Sequence, residues 1–308
     1  MLNFLLDITP DKSQLLITIK LAGILREKKQ EVYYTYTSNP AFTPVLYNKG
    51  ISNCVLYPDD FRWLKPDLTL LDCRHAAHAS LYRQLAIDYI FIAMQLPNQK
   101  NIQDKDISVL YLPPTPYLSS GSGPRVESLA KRLQDIKKDK GRNIIVGLLG
   151  KGNKNSKILE DFYRVIKRSS IRNPRYQFIL LTDIPNVYQS SELPDNMELF
   201  RTLNLNTILP LCDLALTDSH SDAWLDCTFA QIPVLKYSPK DMINITPMKL
   251  EQQIEYALQN KITLTQKAKE LCDFFERKNR EINKIADMLI ERAGRNRYNS
   301  CRLRPHTY

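Results

Sequence analysis

Apolar positions in this chain fall into short runs of strand length, separated by stretches with helical spacing. Residues 3–8 form the first run, and 9–12 read as a turn. From 13 to 29 the apolar residues Leu15, Leu16, Ile19, Ala22 and Leu25 mark one helix face. Residues 31–37, rich in β-branched and aromatic side chains, predict a second strand. After a loop with Pro40 and Pro44, strands are predicted over 53–56, 68–72, 89–93 and 108–112, with a helix over 76–85. The second half restarts the pattern. Strands are predicted over 143–149, 177–182, 197–200, 213–217 and 234–237, and helices over 156–168, 207–212 and 222–230. From Lys249 the chain reads as helical to about Ala293.

Strands alternating with helices predict parallel sheets covered on both faces. Their recurrence in both halves predicts an α/β chain of two doubly wound, Rossmann-like domains facing across a cleft. The Pro- and Ser/Gly-rich stretch 113–123 ends the first strand pattern, and a charged helix over 125–140 follows it. The domains are therefore expected at 1–140 and 141–308, the second carrying the long helical end. In that end Leu264, Ala268, Leu271, Phe275, Ile282, Ile285 and Leu289 form a packing face. Arg295, Arg297, Arg302 and Arg304 read as a basic tail.

Composition changes this picture only modestly. The chain is 43% apolar and 25% charged, ordinary for a globular protein, and its 308 residues suit one large or two ordinary domains. A net charge of +10 favours phosphorylated small molecules or an anionic membrane surface as partners, or marks a solvated surface without one. The Lys/Arg run over 125–142 reads as a solvated helix face, so nucleic acid is not an expected partner. The six cysteines lack CxxC and zinc-ligand spacing and read as reduced core residues of a cytoplasmic protein. The N-terminus has no basic segment or cleavage site of a signal peptide. No run approaches the ~20 apolar residues of a membrane span.

Several short segments carry candidate chemistry. Gly150-Lys151-Gly152-Asn153 follows the first strand of the second half. Its glycines let backbone approach a ligand and Lys151 can neutralise phosphate, although P-loop spacing is missing and a plain turn is the alternative. Thr217 to Ser221 leads into a helix beginning near Asp222. A helix start suits a pyrophosphate, with Ser219, His220 and Ser221 as further donors. Asp218 and Asp222 place negative charge beside it, and Asp222 also reads as a helix cap. Asp226 lies one helical turn beyond Asp222 and can accept two vicinal hydroxyls or face solvent. His75 and His78, three apart and just after Asp72, read as helix histidines or as a pair beside a site. As a metal pair they lack an evident third ligand, and no metal is expected.

The segment 212–244, CDLALTDSHSDAWLDCTFAQIPVLKYSPKDMIN, resembles the donor-binding signature of GT-B glycosyltransferases of the UDP-glycosyltransferase and MurG-like group. Asp213 to Thr217 match its strand, Asp226 its acid, Gln231-Ile232-Pro233 its Gly-Val-Pro, and Asp241 and Asn244 its closing polar residues. Leu193 to Met197, Lys65 to Asp72 and Leu21 to Tyr34 resemble further family segments in the same order. Two departures stand out: Asp218-Ser219-His220 replaces His-Gly-Gly, and the first loop lacks the family's histidine.

The resemblance implies transfer of a sugar from a nucleoside-diphosphate sugar, UDP-linked in most of the group, to a hydroxyl, with inversion and without a metal or other cofactor. The donor would meet Gly150, Lys151, Gly152, Asn153, Ser219, His220, Ser221, Asp226 and Asp241. A base in the first loop, here Asp11, would be oriented by Asp72, with His75 or His78 as the substitute imidazole. The missing histidines also suit a catalytically inactive partner within a glycosylation complex.

Overall fold

The computed structural model describes residues 1–8, 12–35, 54–55, 64–94, 109–115, 124–149, 156–182, 193–219 and 222–302. Two compact units form, Met1–Thr115 together with Phe274–Tyr308, and Pro116–Asp273. The division thus falls at 115/116 rather than near 140, and the end of the chain returns to the first unit.

In the first unit, β1 (Asn3–Asp7), α1 (Lys12–Glu27), β2 (Glu31–Thr35), β3 (Cys54–Val55), β4 (Leu68–Asp72), α2 (Ala79–Gln84), β5 (Tyr89–Met94) and β6 (Val109–Leu112) follow in order. The strands form one sheet in the order β3-β2-β1-β4-β5-β6, and every pair is parallel. Strand alternation splits the apolar residues between its faces. Phe4, Leu6, Val32, Leu70 and Ile92 join one core, while Leu5, Leu71 and Phe91 join another with Tyr82.

The second unit contains α3 (Pro124–Lys140), β7 (Asn143–Leu149), α4 (Ser156–Arg172), β8 (Tyr176–Thr182), β9 (Met197–Phe200), α5 (Leu205–Ile208), β10 (Leu214–Asp218), α6 (Ala223–Phe229), β11 (Val234–Tyr237), α7 (Pro239–Asn244) and α8 (Pro247–Gln259). Its sheet is also all parallel, ordered β11-β10-β7-β8-β9. Ile145, Phe178, Leu180 and Leu216 pack on one face with α4 and α8, and Ile144, Val146 and Ile179 on the other with α3.

The helical end is three helices: α8, α9 (Lys261–Arg280) and α10 (Ile282–Arg302). Ile282, Ala286, Leu289 and Ala293 of α10 are fully buried in the core beside β1 and α1. Arg292 of α10 grips Asp88 with two hydrogen bonds of 2.8 and 2.9 Å, joined by Asn296. That network outweighs the opposing effect of burial and holds the Asp88 carboxyl below the ordinary range. The expected basic tail therefore continues α10 as far as Arg302. Among the described residues Cys73, Cys212, Cys227 and Cys272 are free thiols, and no helix is long and apolar enough to cross a membrane.

Candidate active site

In both sheets the strand order reverses beside the first strand. In the first unit the chain runs outward from β1 to β2 and β3, then crosses to β4 on the other side. In the second it runs from β7 to β8 and β9, then crosses to β10. Open parallel sheets bind ligands outside the carboxyl ends of their strands at such reversals. The residues closing β1 and β4, and those closing β7 and β10, therefore command attention.

Asp7 is the last residue of β1 and is 1% exposed. Its Oδ1 contacts His75 Nδ1 at 3.0 Å, and its Oδ2 contacts His78 Nδ1 at 2.7 Å. Tyr82 of α2 donates its hydroxyl to Oδ2 at 2.7 Å, and Thr35 of β2 donates to Oδ1 at 3.5 Å. An ionised carboxylate only accepts hydrogen bonds, so a facing imidazole donates from Nδ1 and, when neutral, keeps its lone pair on Nε2.

The local sequence explains the placement of both imidazoles. The helix expected over 76–85 begins as a 3-10 turn over Cys73–His78, because the buried Asp72 carboxylate accepts the Arg74 N–H at 2.9 Å and draws the chain into a turn at the strand end. In a 3-10 turn side chains three apart eclipse one another. The rings of His75 and His78 lie close together, with centroids 4.7 Å apart. His75 itself leaves helical dihedrals at φ −96° and ψ 26°, in the bridge region frequent at active sites.

The carboxylate that contacts His75 is thus Asp7, whereas Asp72, expected to orient the base, makes its contacts elsewhere. Strand parity gives the reason: Asp7 pairs in register with Leu71, so Asp72 emerges on the opposite face of the sheet. Asp72, fully buried, is gripped instead by the Arg74 guanidinium, with Nη2 at 3.0 Å from Oδ2. Asp11, expected as base, lies outside the described residues. Asp7 carried no local signal beyond its place at the end of a predicted strand, and its pairing with His75 depends on strand order.

At the second reversal β7 and β10 are neighbours, with Leu148 opposite Thr217. The carboxyl ends of β7 and β10 therefore lie side by side at one edge of the sheet. Gly150, Lys151, Gly152, Asn153, His220 and Ser221 lie outside the described residues. Ser219 is exposed, but its N–H is spent on the carbonyl of Tyr237 at 2.9 Å. Asp222 stands before α6 without a side-chain capping bond, so the expected cap is not made. Asp226 is 8% exposed rather than on a solvated face. Asp241 is engaged in a capping box with Ser238 at the start of α7, and those bonds hold its carboxyl below the ordinary range. One feature of this edge escaped the sequence reading: Lys236 of β11 lies 3.7 Å from the ring centre of Trp224, a cation–π contact at the start of α6.

No family model matches the chain, and no curated protein matches it by sequence. Solved structures do. The glycosyltransferase of kitacinnamycin superposes with a TM-score of 0.68 at 14% identity, covering 94% of this chain and 98% of that one. Glycosyltransferase SnogD from Streptomyces nogalater gives a TM-score of 0.63 at 13% identity, covering 95% and 99%. Spinosyn rhamnosyltransferase SpnG, complexed with thymidine diphosphate, gives 0.65 at 11% identity, covering 92% and 100%. The chain has the GT-B glycosyltransferase fold. Within that fold the family resemblance expects a histidine in the loop after β1 and an acid at the end of a later strand. This GT-B chain presents the acid on β1 and the imidazoles after β4.

Proposed function

We propose that this protein is an inverting glycosyltransferase that moves a sugar from a nucleoside-diphosphate sugar to a hydroxyl acceptor, with His75 as general base and Asp7 as its orienting carboxylate. The observation that carries the reading is the buried Asp7 held 3.0 Å from His75 Nδ1 at the strand-order reversal. With Nδ1–H committed to Asp7, His75 presents a basic Nε2. About a quarter of its side chain is exposed, which lets an acceptor hydroxyl reach it. As the hydroxyl attacks the anomeric carbon, its proton passes to Nε2 and the buried carboxylate stabilises the imidazolium. The diphosphate leaves from the opposite face of the sugar, so one displacement inverts the configuration. His78 keeps the second carboxylate oxygen occupied and fixes the pose of the first.

The donor is assigned to the edge of the second sheet where the segments after β7 and β10 emerge. There Gly150 to Asn153 and Ser219 to Ser221 serve the diphosphate, and Asp226 the ribose. Asp241, committed to its cap, shapes α7 rather than touching the donor. UDP-sugars are the first donors to try, and dTDP-sugars the second.

The test is release of nucleoside diphosphate from a panel of UDP- and dTDP-sugars with phenolic and sugar-alcohol acceptors. Turnover is expected from the native chain, with a loss of roughly 10²–10⁴-fold in His75→Ala and in Asp7→Asn. Undiminished turnover in His75→Ala refutes the assigned base. No turnover with any donor returns the chain to the role of an inactive partner.

A further inference from the structure

The sequence offered two histidines at metal-pair spacing and no third ligand; the fold supplies one. Asp7, His75 and His78 each present a ligand atom, and these atoms lie within 4.8 Å of one another. We propose that this cluster is a binding site for a divalent transition ion of the zinc class.

The chemistry of the donor set favours such an ion. Two imidazole nitrogens and one carboxylate oxygen suit zinc-type ions better than magnesium or calcium, which take oxygen ligands. Zinc bonds of 2.0–2.2 Å in a tetrahedron put ligand atoms about 3.3 Å apart. The present Asp7–His contacts are 3.0 and 2.7 Å. They run to different oxygens of the carboxylate, and opening them by about 0.3 and 0.6 Å, through small ring rotations, makes room for the ion between the two imidazoles and the acid. Both histidines offer Nδ1 from the one turn over Cys73–His78, so both rings reach the carboxylate from a single element. The carboxylate is held from behind by Tyr82 and Thr35, the kind of outer support that fixes metal-ligating acids. The imidazoles are 24% and 29% exposed, which leaves a path for the ion and a fourth position for water.

Proton balance follows from the tautomers. In its neutral form, each imidazole facing the carboxylate carries its proton on Nδ1. To bind the ion through Nδ1, that proton moves by way of solvent to Nε2, with none gained or lost overall. His75 Nε2 is then an N–H donor and no longer a base. The ion therefore inhibits the proposed transfer, and this consequence alone rests on the reading of His75 as base.

The experiment uses the full chain stripped with chelator. Calorimetry with zinc chloride and visible absorption on addition of cobalt(II) read binding directly, without substrate. One equivalent per chain is expected, with cobalt bands of a tetrahedral nitrogen and oxygen site. Asp7→Asn and the double variant His75→Gln/His78→Gln, each verified as folded by circular dichroism, should bind at least about tenfold more weakly. The double variant keeps His220 and His306, so binding equal to native exposes adventitious surface sites and overturns the proposal. Absence of saturable binding by the native chain overturns it as well. Zinc binding with full turnover in His75→Ala defeats the base and leaves the metal site standing. No zinc binding with turnover lost in His75→Ala does the reverse.

Discussion

Asp213 is expected to be a structural acid whose backbone bond outweighs its ion pairs, and the two can be separated by substitution. The residue directly precedes β10, and its side chain is 2% exposed. Oδ2 accepts the Ile144 N–H of β7 at 2.8 Å, while the Asp213 N–H returns a bond of 2.8 Å to the Ile144 carbonyl. Oδ1 meets Lys137 of α3 at 2.8 Å and also Lys261 at the start of α9. Asp213→Ala leaves the fully buried Ile144 amide without its acceptor, at a cost of about 1–3 kcal/mol. The lysine side chains are 43% and 41% exposed, so their ammonium groups return to water. Each ion pair is therefore discounted to about 0–1 kcal/mol. The Ala variant should lose about 1–5 kcal/mol in all. Asp213→Asn keeps an amide oxygen for Ile144 and should lose about 0.5–1.5 kcal/mol. Urea unfolding followed by Trp224 fluorescence in a Trp63→Phe background reads the second unit. Burial would raise the Asp213 pKa, but hydrogen bonds from Lys137, Lys261 and the Ile144 amide hold it below the ordinary value. A depressed folded pKa gives stability that is complete above the unfolded value of about 3.9 and fades as pH falls through the folded one. The gap between native and Asn proteins should thus close on acidification below about pH 4. Equal losses in the Ala and Asn variants would refute the assignment of most of the energy to the backbone bond.

Two further outcomes concern the scaffold. Leu289→Ala, in the buried face of α10, should cost about 2–5 kcal/mol and lower hydrogen-exchange protection in β1, β2 and β4 while sparing β7 and β8. Equal loss in both sheets would show that the last helix does not belong to the first unit. Gly147→Ala would drive a Cβ into Leu180 Cδ2, which faces it across β7 and β8, and should destabilise by about 1–3 kcal/mol. Adding Leu180→Ala should make that first substitution nearly neutral, and a neutral Gly147→Ala on its own would contradict the close approach.

Local pattern made the strands legible. The apolar runs predicted over 68–72, 143–149, 197–200 and 234–237 form β4, β7, β9 and β11 with those bounds. Polar or proline punctuation flanks them, as Lys65-Pro66-Asp67 does before Leu68. What local pattern does not hold is the partner of a buried face. The spacing of Ile282 and Leu289 announced a packed helix, but α10 packs on the first sheet, a choice set by complementarity between residues nearly the whole chain apart. The helix expected over 76–85 begins as a 3-10 turn, and is α-helical only over Ala79–Gln84, because a single side chain, Asp72, competes for the Arg74 amide.

The site shows the same limit. Asp7 and His75 are 68 residues apart, and nothing near either one signals the other. Their meeting depends on β1 and β4 being adjacent, parallel and paired so that Asp7 stands opposite Leu71. Once that register exists, the two strand ends are interchangeable as sources of acid and imidazole. A family whose base comes from the first loop and whose orienting acid comes from the later strand can exchange them and still close a dyad at the same edge. On the proposed reading, the absence of histidine from the first loop does not by itself argue for loss of function. Under the proposed function, such an exchange would account for Asp72 serving as a turn cap. The carboxylate at the end of β4 lies on the face opposite Asp7 and is paired with Arg74. What it now positions is the turn itself, and through the turn the two histidines.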